Sequence, residues 1–108
     1  MKNVKIVVFV PVNYTEKLLE VIGKNGGGKI GNYSYCSFIT KGEGRFNPNN
    51  KAKPFIGEKD KIEKVDENKI EFICPKEKAE FIIEKIRETH PYEEPAIDIL
   101  PLIDEEEL

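Results

Sequence analysis

Val4-Lys5-Ile6-Val7-Val8-Phe9-Val10-Pro11 is the stretch on which the fold turns. Apart from Lys5 it is apolar up to the proline and rich in β-branched residues, the composition of a central strand covered on both faces. Pro11 is expected to end it, because proline has no N–H to give to a ladder. Just beyond, Asn13 stands three residues ahead of Glu16, an asparagine version of the capping box that opens a helix. Tyr14, Leu18, Val21 and Ile22 then share one helical face, and Gly26-Gly27-Gly28 stop the helix.

Outward from that unit, Tyr33 to Thr40 reads as the second strand. Lys41 to about Asp60 is turn-rich, with Gly42, Gly44, Pro48, Asn49, Asn50, Pro54 and Gly57. So long an excursion in a small domain usually serves function or assembly. Lys61–Val65 and Lys69–Cys74 read as strands separated by a turn at Asp66-Glu67-Asn68. Ile70, Phe72 and Cys74 share one face of the latter. Pro75 suits the first position of a second helix, carried by Ala79, Ile82, Ile83 and Ile86 and closed by Pro91. Ala96–Leu100 is a last short strand, ended by Pro101.

This order, β-α-β, hairpin excursion, β-α-β, predicts an α+β, ferredoxin-like (βαββαβ) antiparallel sheet. Both helices are expected on one sheet face, through Leu18, Val21, Ile22 and Ala79, Ile82, Ile86. The domain is expected to fill residues 1–103, with 104–108 a mobile acidic tail. With no internal repeat or low-complexity linker, a second domain is not expected.

The chain has 108 residues, enough for one core without staples. Its net charge of −3 comes from the tail: without Asp104, Glu105, Glu106 and Glu107, 17 basic residues face 16 acidic ones, a net +1. Between Lys41 and Lys64 seven basic residues face four acidic ones, a local +3 that reads as a solvated hairpin or an anion-attracting loop. Without tryptophan, and with one short basic region lacking interleaved aromatics, nucleic-acid binding is disfavoured. Cys36 and Cys74 show neither zinc-site nor disulfide spacing. No segment is long enough to span a bilayer, and the apolar N-terminal run lacks a cleavage motif, so a reduced cytoplasmic setting is expected.

Three clusters offer chemistry. Asn25-Gly26-Gly27-Gly28-Lys29-Ile30-Gly31-Asn32 has backbone N–H groups that can converge on an anion, helped by Lys29. It follows a helix, however, where helix termination and tight packing are the plainer reading. In Gly31-Asn32-Tyr33-Ser34-Tyr35-Cys36-Ser37-Phe38, Tyr33 offers a hydroxyl, and Cys36 reads as a small packed hydrophobe rather than a nucleophile. In His90-Pro91-Tyr92-Glu93-Glu94-Pro95, an imidazole and two carboxylates can line a ligand cleft, bind a divalent metal through His90 and Glu93, or move a proton. The two prolines and the Tyr92 ring equally suit a rigid helix-to-strand connection.

The second and third clusters, with Gly42-Glu43-Gly44-Arg45-Phe46 and Pro54-Phe55-Ile56-Gly57 at similar spacing, resemble the PII/CutA-like domain of NIF-three-like (YqfO-type) proteins. The His-Pro-Tyr-Glu-x-Pro motif also resembles the end of CutA proteins. The resemblance covers almost the whole chain but only the inserted domain of the larger proteins. It implies a homotrimer with the His90 motif near the cleft between subunits. Full-length relatives carry a dinuclear metal site rich in histidines, and one histidine cannot reproduce it, so their hydrolase label is not expected to transfer.

The expected function is therefore a non-enzymatic PII/CutA-like binding or regulatory module for a small anionic ligand or a protein partner, with no cofactor required. The alternative is a CutA-type divalent-metal-binding protein. Ligand-binding candidates are Lys29, Tyr33, Cys36, Arg45, His90, Tyr92 and Glu93. Tyr33, Cys36, His90, Tyr92 and Glu93 are expected to border one shared cleft, because both motifs follow helix ends that the fold would bring together. His90 would then make affinity vary near its ordinary pKa of about 6.5.

Overall fold

The computed structural model describes residues 2–108. Strand β1 (Asn3–Pro11) leads through a 3-10 turn (Val12–Tyr14) into α1 (Thr15–Lys24). Strands β2 (Phe38–Phe46) and β3 (Glu63–Pro75) follow, then α2 (Lys76–Thr89), β4 (Ile97–Pro101) and a terminal 3-10 turn (Glu105–Glu107). The four strands form one antiparallel sheet in the order β2-β3-β1-β4, the expected ferredoxin-like α+β arrangement.

Alternation along β1 decides which face is covered. Val4, Ile6, Val8 and Val10 pair with Cys74, Phe72, Ile70 and Asn68 of β3, and paired residues point the same way. The hydrophobic members of those pairs form the core with Leu18 and Ile22 of α1 and Ala79, Ile82 and Ile86 of α2. Both helices thus lie on one face, and Val21 is half-buried at the margin. Leu18, Ile82 and Ile86 are fully buried, each worth roughly 1.5–3 kcal/mol of transfer free energy. Val7, on the opposite, helix-free face, is buried as well, but Lys5 and Phe9 beside it are only half-buried, so the second face of β1 is less covered than its composition predicts.

Four local expectations shift. The second strand starts at Phe38 rather than Tyr33, because Tyr35 adopts a positive φ of 60° that no strand residue takes. The break expected at Asp66-Glu67-Asn68 is absent, and β3 runs unbroken for 13 residues. Asn68 pairs with Val10 on one side and Lys41 on the other. Its amide donates 2.9 Å to the Thr15 hydroxyl instead of turning its own backbone. Asn13 makes no capping box; it lies inside the 3-10 turn, and Pro75 is the N-cap of α2, which starts at Lys76, rather than its first helical residue.

Two consequences position the site. Strand β3 outruns β1: its pairing with β1 stops at Pro11–Glu67, whereas its pairing with β2 continues to Phe46–Glu63. The β2–β3 ribbon therefore overhangs the Pro11 end of the sheet, and the molecule is elongated, 48 × 25 × 23 Å. In addition, α1 runs from the Pro11 end of β1 to the Asn3 end, and α2 runs back the other way.

Candidate functional site

The antiparallel helices separate the two motifs. After α2, the His90 ring nitrogen Nε2 lies 2.7 Å from the Phe9 carbonyl, and the Phe9 N–H donates 3.2 Å to the Ala96 carbonyl. The 90–96 connection is thus pinned to the Pro11 end of the sheet. After α1, the Gly28 N–H donates 2.8 Å to the Ile73 carbonyl, beside Lys5 at the other end. The topological premise of one shared cleft therefore fails within a chain. Successive helices of a split β-α-β pair are antiparallel, so their C-termini point to opposite ends.

At the Asn3 end, the Gly28 carbonyl accepts 2.8 Å from the Cys36 N–H. Gly28 has a φ of +78°, and a Cβ there would sit 2.2 Å from the Cys36 carbonyl oxygen, so only glycine fits. Cys36 is half-buried, its thiol 3.9 Å from the Ser34 carbonyl. Tyr35 lies over Gly23, its hydroxyl 3.3 Å from Glu20. Lys29 and Tyr33 are exposed. These hydrogen bonds tie this loop to the sheet, which is the packing reading of the glycine run.

The Pro11 end holds a cavity of about 290 Å³, close to the lower limit of roughly 300 Å³ for small-molecule clefts. Its floor is Phe9 of β1 and its sides are Phe46 of the overhanging ribbon and Tyr92 of the connection. Pro54, Phe55 and Ile56 of the 47–62 loop close it. That loop is held by two ties: the Lys53 N–H donates 2.9 Å to Glu93 Oε1, and the Tyr14 and Phe55 rings meet edge to face at 5.8 Å. Tyr92 stands 6.0 Å from Phe46 and 5.0 Å from His90, ring centre to ring centre. Its hydroxyl donates 2.7 Å to Glu67 Oε2. Burial first, then the Glu67 carboxylate, push the Tyr92 phenol far above its ordinary value, so it remains a donor.

Of the seven ligand candidates, Arg45, Tyr92 and Glu93 line this cavity. His90 supports it from behind and is itself buried. Its Nδ1 accepts 3.1 Å from the Tyr92 N–H, which leaves the proton on Nε2 for the Phe9 carbonyl. Burial, with a smaller push from the Arg87 charge, lowers its pKa more than the Phe9 contact and Glu67 raise it, so it is not poised to charge near neutrality. Among the described residues no group of three His, Cys, Asp or Glu side chains could hold a metal ion. Sequence reasoning missed Glu67, which Asp and Asn neighbours made look like turn. Lys64-Val65-Asp66-Glu67-Asn68-Lys69 has no apolar alternation, so the sequence carries no local signal for a strand running through it.

No protein-family model matches the chain. It is 46% identical over 103 residues to a GTP cyclohydrolase 1 type 2 homolog of Halalkalibacterium halodurans, covering 95% of this chain and 28% of that protein. The crystal structure of a Bacillus cereus protein related to NIF3 superposes with a TM-score of 0.81 at 39% identity, over 95% of this chain and 26% of that one. The divalent cation tolerance protein CutA of Archaeoglobus fulgidus superposes with a TM-score of 0.68 at 18% identity, over 93% of this chain and 83% of its own. The chain thus spans about a quarter of the length of its NIF3-related relatives, and it shares the fold of nearly a whole CutA chain. The resemblance read from its motifs holds.

Proposed function

From its likeness to one segment of NIF3-related proteins, we propose that this chain is a non-enzymatic PII/CutA-like binding or regulatory module. Its small-molecule cleft is the cavity between Phe9, Phe46, Phe55 and Tyr92. The observation that carries this reading is the construction of that cavity. Three separate segments, the ribbon, the 47–62 loop and the 90–96 connection, converge on it and are tied together by side-chain hydrogen bonds. Aromatic walls with a few placed polar groups are the makeup of a binding cleft. We assign the cyclohydrolase in the relatives' name to the parts of those proteins that this chain does not span.

The module is proposed to work as a homotrimer. The helix-free sheet face exposes Phe38 (68%) and Leu100 (43%), and β2 and β4 leave unpaired edges that a neighbour would cover. The free thiols of Cys36 and Cys74 suit a reducing, cytoplasmic setting. Among the described residues no helix is long and apolar enough to cross a membrane.

The cation tolerance named for the Archaeoglobus fulgidus protein asks here for a metal on His90 and Glu93. Both ring nitrogens of His90 are taken by backbone groups, and the Glu93 carboxylate turns to Lys53, so within one chain this pair does not fit a metal. A fragment screen followed by amide chemical shifts tests the cleft. Hits are expected to move the Lys53, Phe55 and Ala96 amides. Hits that gather instead on Tyr35 and Cys36 overturn the assignment. Light scattering tests the trimer, and a stable monomer at micromolar concentration refutes it.

A further inference from the structure

The charge lining the cleft differs in sign from that of the segment that supplies much of its wall. Lys41 to Lys64 carries a net +3, yet the cavity itself is lined by Glu67, Glu93 and Glu94 against a single cation, Arg45. Arg45 is already engaged, its Nε 2.9 Å from Glu43 Oε2. The lysines of the loop are not among the lining residues: Lys61 pairs with Glu58, and Lys59 reaches the Asn50 carbonyl. An anion entering the cavity would therefore meet three carboxylates and an arginine already paired with Glu43.

Glu67 is the central member. It is half-buried on β3, with Phe46 and Tyr92 beside it on the cavity wall. Its Oε2 accepts the Tyr92 hydroxyl, and no described residue supplies a cation or a hydrogen bond to Oε1. The Tyr92 hydroxyl is neutral and does not compensate the charge. A half-buried carboxylate whose partner is a neutral hydroxyl attracts a cation more strongly than one in bulk water, and aromatic faces attract a positive group placed over them. A bare divalent ion is a poor occupant, since no three-ligand group exists among the described residues. The apolar walls call for a ligand that brings its charge on a hydrophobic body.

We propose that this cleft binds a small organic ammonium ion, an amine head on an aromatic or aliphatic body, with the head at Glu67 and the body between Phe46, Phe55 and Tyr92. The proposal rests on the reading of the cavity as the ligand cleft. Glu94 adds long-range attraction at the mouth, and Glu93 holds the loop closed through Lys53.

Three probes with the same ring and chain test it by titration into the ¹⁵N-labelled full chain: phenethylammonium, 2-phenylethanol and 3-phenylpropionate. Phenethylammonium is expected to bind about tenfold tighter than the alcohol, a difference of about 1.4 kcal/mol. It should shift the Lys53, Phe55 and Ala96 amides. Glu67→Gln should remove that advantage and leave the alcohol unchanged, and Glu94→Gln should remove part of it even if Glu67→Gln does not fold. If the alcohol or the phenylpropionate binds as tightly at the same amides, the ammonium assignment is wrong and the cleft stands. If all three probes leave those amides unmoved, the cleft reading itself falls, and the proposal with it.

Discussion

The Tyr92 hydroxyl donates to Glu67 Oε2 at 2.7 Å across 25 residues of sequence, and it ties the connection after α2 to the strand that carries the overhanging ribbon. The same tyrosine packs on Phe46 and, through its backbone N–H, holds the His90 ring. One residue thus joins the cleft wall, the cleft carboxylate and the buried imidazole.

Removing that hydroxyl separates its packing from its hydrogen bond. Tyr92→Phe is expected to destabilise the fold by about 1.5 kcal/mol, the scale of a hydrogen bond to a charged group. A double-mutant cycle with Glu67→Gln should return a coupling of roughly 1 kcal/mol in urea unfolding. Additive single losses would mean that the two groups do not interact in solution.

His90 is the only histidine, so its titration can be followed alone. Its folded pKa lies below the ordinary value of about 6.5 because burial penalises the imidazolium. Above pH ~6.5 both folded and unfolded forms are neutral and this contribution is fully present. As pH falls through that value the unfolded chain takes up a proton that the folded chain refuses, so stability declines until the lowered folded pKa is passed. The decline should vanish in His90→Gln, and ring NMR should report the proton on Nε2. An imidazole midpoint at or above 6.5 contradicts the geometry.

Gly28 tests the other end of the sheet. Gly28→Ala places a methyl on the Cys36 backbone at a φ of +78°. A loss of about 2–3 kcal/mol is expected from the strained backbone and the forced separation of the loop. A melting temperature equal to that of the parent chain would show that this loop is not held as described.

In the core, Ile82→Ala removes a fully buried side chain packed between α2 and the sheet. The expected cost is about 3 kcal/mol, within the range for large-to-small core substitutions. Glu80→Ala, on the exposed side of the same helix, should stay within about 0.5 kcal/mol.

Metal titration provides a separate check on His90. Zinc or copper should bind the parent chain no more tightly than it binds His90→Ala. A clear loss of affinity in the variant would require His90 to leave the Phe9 carbonyl, and amide exchange at Tyr92 would then rise.

Periodicity and punctuation in the sequence determined the layering of the protein. The apolar run Val4–Val10, broken by Lys5, the helical faces of Leu18/Ile22 and Ala79/Ile82/Ile86, and the prolines at Pro11, Pro75 and Pro101 each report a local preference that the sheet and helices then satisfied together. The Pro54-Phe55-Ile56-Gly57 and His90-Pro91-Tyr92-Glu93 motifs, legible as unusual, both contribute to the cleft. Four features were decided only in tertiary structure. Strand β3 is unbroken because Asn68 finds Thr15, a partner 53 positions away that no local rule foresees. His90 is a backbone clamp because the Phe9 carbonyl and Tyr92 amide reach its ring first, and burial then disfavours its charge. The two motifs lie at opposite ends because α1 and α2 run antiparallel, and the cavity takes its negative charge from Glu67, Glu93 and Glu94, although the segment that supplies much of its wall is basic. Net charge along a sequence sums over side chains facing every direction, and only the fold selects which of them a ligand meets.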